Sequence, residues 1–138
     1  LSDEQDDILK QVYCPYTGRA MHYRLVGQSP VPCSLEEWCK SFADPTERRV
    51  RLTHIGPFIV STVFLGLDHN FSGKGAPILF ETMTFLANGG DFEGYNECDG
   101  RRATWPEAEK MHDQAVAWLQ ATYCHAGEQP EDVEQWPA

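Results

Sequence analysis

The chain has 138 residues, 41% of them hydrophobic and 23% charged, which suits one compact domain with a real core and excludes a globally disordered chain. Eleven Lys and Arg against 21 Asp and Glu leave a formal charge of −10. A free-standing nucleic-acid binder needs the opposite sign to neutralise phosphates, so direct nucleic-acid binding is not expected; the acidity fits a basic protein partner, mimicry of nucleic-acid charge, or solubility alone.

In chain order, SDEQDDILKQVY reads as a helix capped by Ser2, with acids in its first turn. CPYTG is a turn, and AMHYRLV a strand with Met21, Tyr23 and Leu25 on one face. GQSPVPC, with two prolines, reads as an extended connector. Ser34 and Glu37 have capping-box spacing, and Leu35, Trp38, Cys39 and Phe42 form one stripe of a short helix. ADPTERR reads as a polar loop. RVRLTHI alternates as a strand with Val50, Leu52 and His54 on one side, and Gly56-Pro57 ends it.

FIVSTVFLGL is the strongest strand, and ILFETMTFL is its antiparallel partner across Asp68–Pro77. With Leu67 opposite Ile78, Val63, Leu65, Phe80 and Thr82 share one face, and Thr62, Phe64, Glu81 and Met83 the other. Both faces are then largely apolar and call for cover, one by the C-terminal helix and the other by the short helices or a second copy, which leaves room for a homodimer. ANGGDFEG is a glycine-rich turn, and YNECDGRRAT a further strand with a break at Asp99-Gly100. Thr104, Pro106 and Glu107 start a helix whose stripe is Ala108, Met111, Ala115, Trp118, Leu119 and Thr122; Trp105 staples its start to the sheet, and His112 sits at the boundary. The expected fold is α+β: a meandering antiparallel sheet of four to five strands, the C-terminal helix on one face and shorter N-terminal helices. Residues 1–125 make the single domain and 126–138 an acidic mobile tail.

The candidates for chemistry sit around the central hairpin. If the protein is an enzyme, Asp68, His69 and Glu81 are its catalytic candidates, with Glu81 buried and paired to Arg101, Arg102, His69 or His54. Arg101, Arg102 and Lys74 are the candidate ligand-binding cations. The SGKG run lacks the spacing and the following helix of a phosphate loop, so Gly73 and Gly75 more simply supply positive φ, and Asp68 and Asn70 local turn bonds. Structurally, His69 is a polar cap on the hairpin and Glu81 a satisfied ion pair. Arg48, Arg49 and Arg51 join Arg101 and Arg102 in a basic island only if their strands are neighbours.

Five Cys and five His show no close pairs of metal-ligand spacing, so neither metal nor cofactor is expected. An odd cysteine count without CxxC, and an acidic start without basic or apolar leader regions, fit reduced thiols in a cytoplasm. No apolar stretch reaches the ~18 residues of a membrane span.

Two runs, VSTVFLGLDHNFSGKGAPILFETMTF and ATWPEAEKMHDQAVAWL, together with Pro30-Val31-Pro32 and Leu35-Glu36-Glu37-Trp38 upstream, resemble a family of small uncharacterised bacteriophage and prophage proteins. The likeness spans roughly residues 22–120. The chain departs from it in Arg102-Ala103-Thr104 before Trp105, where an aromatic is common, and in the added Asn-Glu-Cys-Asp-Gly stretch. The resemblance implies a phage-type origin and no particular chemistry. An accessory protein that binds a protein partner is the expectation, with a small-ligand binder or hydrolase-like enzyme as the alternative.

Overall fold

Alternating apolar strands joined by short turns pair with their sequence neighbours, because only antiparallel partners can be reached through so few residues. The computed structural model, which describes residues 3–90, 92 and 98–137, shows this meander. In chain order the elements are α1 (Asp3–Val12), β1 (His22–Val26), β2 (Ser29–Cys33), α2 (Leu35–Ser41), α3 (Pro45–Arg48), β3 (Arg49–Ile55), β4 (Phe58–Phe64), β5 (Phe80–Leu86), β6 (Gly100–Arg102), α4 (Trp105–Thr122) and β7 (Glu131–Asp132). Among the described residues the main sheet runs β6-β5-β4-β3-β7, all antiparallel, and β1-β2 forms a separate hairpin. The fold is α+β, with α4 packed on one sheet face. The expected cap Ser2, and residues 95–97 of the expected strand before β6, lie outside the described residues.

The caps form as the sequence implies. Ser34 and Glu37 complete a capping box at α2, and the Thr104 hydroxyl accepts from the Glu107 N–H at α4. Two segments gain structure. Ser29–Cys33, read as a connector, pairs with β1; its prolines are tolerated because a two-stranded hairpin leaves each strand an edge. Within ADPTERR, Asp44 caps a single turn that has Pro45 in its first position.

The central hairpin differs by one residue. Phe64 lies opposite Phe80, and Val63 opposite Glu81. A one-residue slip exchanges the faces. Phe58, Val60, Thr62 and Phe64 therefore share the α4 side with Phe80, Thr82 and Thr84, and all are buried. Glu81 goes to the outer face with Val63 and Met83. A bulge between Arg49 and Arg51 likewise separates Val50, which packs against the Phe64–Phe80 cluster, from Leu52 on the outer face.

The outer face is driest around Ile59 and Leu52. Ile59, opposite Phe85 in the register, is fully buried, and Leu52 nearly so. The segment read as a tail runs here. Glu131 and Asp132 pair with β3, the Val133 N–H donates to the Leu52 carbonyl, and Trp136 packs edge-on against Phe85 at 5.2 Å.

Candidate functional site

Between Phe64 and Phe80 the regular ladder stops and a loop begins in which Asp68, Asn70 and Ser72 bond back onto the loop itself. Asp68 is almost buried. Its Oδ1 accepts from the Asn70 N–H at 2.7 Å and the Ile78 N–H at 3.1 Å, and its Oδ2 takes the Arg19 guanidinium at 3.0 Å. Asn70 Oδ1 accepts from the Ser72 hydroxyl at 2.6 Å, while its Nδ2 donates to the Lys74 and Ala76 carbonyls at 2.7 and 2.8 Å. Arg19 reaches over from the preceding turn and donates to the Gly73 and Gly75 carbonyls at 3.3 and 3.2 Å. Both glycines have positive φ, as a turn this tight requires.

His69 completes the base of the loop. Its Nδ1 lies 2.7 Å from the Leu67 carbonyl, which can only accept, so Nδ1 carries the proton. The ring stands 5.9 Å from Phe71.

Glu81 does not join Asp68 and His69. It lies on the outer face, and its Oε2 accepts from Arg101 Nε at 2.8 Å. The expected ion pair is present, though half-exposed on the Arg101 side rather than buried in an apolar pocket. Arg102 lines a separate groove with Glu107, Lys110, Met111 and Gln114. The Lys74 backbone closes the loop. The basic island does not form, because β4 and β5 separate Arg49 and Arg51 on β3 from Arg101 and Arg102 on β6, about 14 Å at the usual strand spacing.

The largest polar constellation is one that periodicity misplaced. His112 is fully buried, in the middle of the α4–sheet interface and not at its boundary. Its bonds have one consistent direction. Thr53 lies 2.6 Å from Asp132 Oδ1; a carboxylate accepts, so the hydroxyl donates outward. Thr53 must then accept from His112 Nε2–H, at 2.7 Å. Nδ1 of the neutral ring accepts from the Thr62 hydroxyl at 2.7 Å, and Thr62 accepts from Thr82 at 2.5 Å. Burial, and then the Arg51 charge, push the imidazole down to about 4, against a smaller opposing pull from Asp132 and Asp113. The Thr53 hydroxyl, with help from Arg51, holds the Asp132 carboxyl below its usual range. Arg51 ties Asp132 and Asp113 together at the rim. This chain fastens α4, β3, β4, β5 and the C-terminal segment to one another, and its ring nitrogens are both spent.

The signal for it was present in the sequence. Residues 108, 112, 115, 116 and 119 follow the helical period, and Thr53, Thr62 and Thr82 supply a polar patch on three strands.

All five cysteines are thiols, with Cys33 and Cys98 buried. No three His, Cys, Asp or Glu side chains gather as a metal set among the described residues. Nor is any helix among them long and apolar enough to cross a membrane. Compared with protein-family models, curated proteins and solved structures, the chain gives no match.

Proposed function

We propose that this chain is a small acidic accessory protein of phage type that works in the host cytoplasm by binding a macromolecular partner, in its sharpest form inhibiting a basic, nucleic-acid-handling or defence complex. The observation that carries the reading is the way the candidate side chains are used. Asp68 is committed to Arg19 and two loop amides, His69 to the Leu67 carbonyl, and Glu81 to Arg101. Each group is committed to an internal bond, and Glu81 does not converge with Asp68 and His69. That arrangement gives the alternative, a small-ligand binder or hydrolase-like enzyme using Asp68, His69 and Glu81, little support.

The formal charge of −10 draws a basic protein by long-range attraction. Exposed Glu131 and Glu134, with Glu107 and Glu109 on α4, supply carboxylates for it. The test is affinity capture from host lysate over a salt series. A partner held at low salt and released by about 0.5 M is expected, since exposed charge pairs are screened there. Recovery of nothing salt-sensitive rejects the proposal.

A further inference from the structure

The chain has three asparagines, and only Asn88 precedes a glycine. An asparagine carboxamide can be attacked by the main-chain nitrogen of the next residue. Glycine exposes that nitrogen best, because it has no Cβ to shield it and its backbone bends freely. Asn88-Gly89 lies in the exposed turn that leaves β5. Gly89 has φ +83°, and a Cβ there would meet nothing within 4 Å, so the turn stands in open water. The Asn88 side chain is folded forward over its own backbone, with Oδ1 accepting from the Gly90 N–H at 2.8 Å. That bond draws Cγ toward the Gly89 nitrogen. It also aims an N–H donor at the oxygen on which charge develops when Cγ is attacked.

Elsewhere the fold shuts the same chemistry off. Asp99-Gly100 is the chain's one Asp-Gly step. The Asp99 Oδ1 accepts from the Thr84 N–H at 2.8 Å, and Gly100 is held in β6 opposite Thr82 with Met111 Sδ against it. Asn70 precedes Phe71, and its carboxamide is spent on Ser72, Lys74 and Ala76. Asn96 precedes Glu97 and lies outside the described residues.

We propose that Asn88 is a self-modification site, at which the folded protein converts its own Asn88-Gly89 step through a succinimide to aspartate and isoaspartate. The inference is independent of the binding function proposed above. The Gly89 N–H donates to the Leu86 carbonyl at 2.9 Å, so this turn bond at the strand end opens first. A solvent base then takes the Gly89 amide proton, and the nitrogen attacks Asn88 Cγ. The new N–Cγ bond puts negative charge on Oδ1, facing the Gly90 N–H. Collapse breaks the Cγ–Nδ2 bond, and the amide leaves as ammonia after gaining a proton from water. Water then opens the ring. Cleavage at Cγ gives aspartate; cleavage at the main-chain carbonyl gives isoaspartate, with the chain now running through Cγ. The sum is carboxamide plus water to carboxylate plus ammonium, with no change of oxidation state. The product carries one more negative charge, and in isoaspartate the main chain is longer by one methylene.

The test incubates the full chain at mildly acidic and mildly alkaline pH and follows its peptides by mass spectrometry, with electron-transfer fragmentation to tell isoaspartate from aspartate. The Asn88 peptide should gain about one mass unit, as the amide becomes an acid. It should do so at least about tenfold ahead of the Asn70 peptide, and faster on the alkaline side. Its product should contain isoaspartate, which only the ring route makes. Asn88→Gln should stop the reaction, because the longer side chain must close a larger ring, and Gly89→Ala should slow it. Asp99→Asn supplies a second Asn-Gly step inside the fold, which should stay intact while Asn88 in the same molecule reacts. The Asn88-to-Asn70 comparison within the native chain stands even if a variant folds poorly. An Asn88 that stays intact, that yields aspartate without isoaspartate, or that reacts no faster than Asn70 overturns the proposal.

Discussion

Gly66 shows how one missing side chain holds two elements together. It has φ +67°, and a Cβ there would lie 2.7 Å from both the Tyr23 carbonyl oxygen and Trp38 Nε1. The same close approach lets the Tyr23 N–H donate to the Gly66 carbonyl and seats the β1–β2 hairpin at the end of β4. Gly66→Ala combines backbone strain with a clash against main chain, so a loss of more than about 2 kcal/mol in urea unfolding is expected. The two acids of the hairpin should separate just as clearly. Asp68 is 5% exposed and serves Arg19 and two amides. Asp68→Ala should therefore cost about 3 kcal/mol, the scale for breaking a buried pair. Glu81 faces an Arg101 that is 49% exposed, and Glu81→Gln should cost under about 1 kcal/mol in the same assay. His112 predicts a pH dependence. Its native form resists protonation down to about 4, whereas the unfolded chain takes the proton near the ordinary 6.5. The unfolded state thus binds more protons between those values. Stability conferred by the neutral ring is complete above about 6.5, falls as pH drops through the window, and is about 3 kcal/mol lower below 4. Urea unfolding at pH 7 and pH 4.5 should show this slope in the native chain and lose the His112 share of it in His112→Gln.

At the scale of elements, the decisive feature is register. The apolar pattern of FIVSTVFLGL and ILFETMTFL announces two strands but not which residues meet, because both faces carry enough apolar groups to be buried. The long-range partners break the tie. The Thr62–Thr82 pair must lie under His112, and Phe80 must reach Trp105, 6.1 Å away on α4. The C-terminal segment was equally unreadable. An acidic run with two prolines has the composition of a free tail, yet Asp132 is claimed by Thr53 and Arg51 and Trp136 by Phe85. Truncation after Pro130 should lower the unfolding free energy by about 2–3 kcal/mol, from one charged hydrogen bond and partial uncovering of Ile59 and Phe85. Asp132→Ala should account for roughly half of that loss. An unchanged urea midpoint in both would show that the segment adds nothing to the fold.

Across the whole molecule, a sheet-and-helix body carries a formal charge of −10. Charge and short-range contacts have different kinetic signatures. Association with a basic partner should slow about tenfold between roughly 0.05 M and 0.3 M salt, because screening weakens steering. Dissociation should change little with salt. Stopped-flow measurements of both rates separate the two contributions.

Local sequence by itself determined the caps at Ser34 and Thr104, the strand identity of Arg49–Ile55, the turn bonds of Asp68 and Asn70, and the positive φ of Gly73 and Gly75. Each depends on residues within a few positions of one another, so short-range sterics and hydrogen bonding are enough to specify it. Only the tertiary structure decided the one-residue register, the burial of His112, the parting of Glu81 from Asp68 and His69, and the docking of Glu131–Trp136 across the sheet. Those depend on which distant groups compete for the same donor, acceptor or dry surface, and that competition exists only once the sheet has closed against α4.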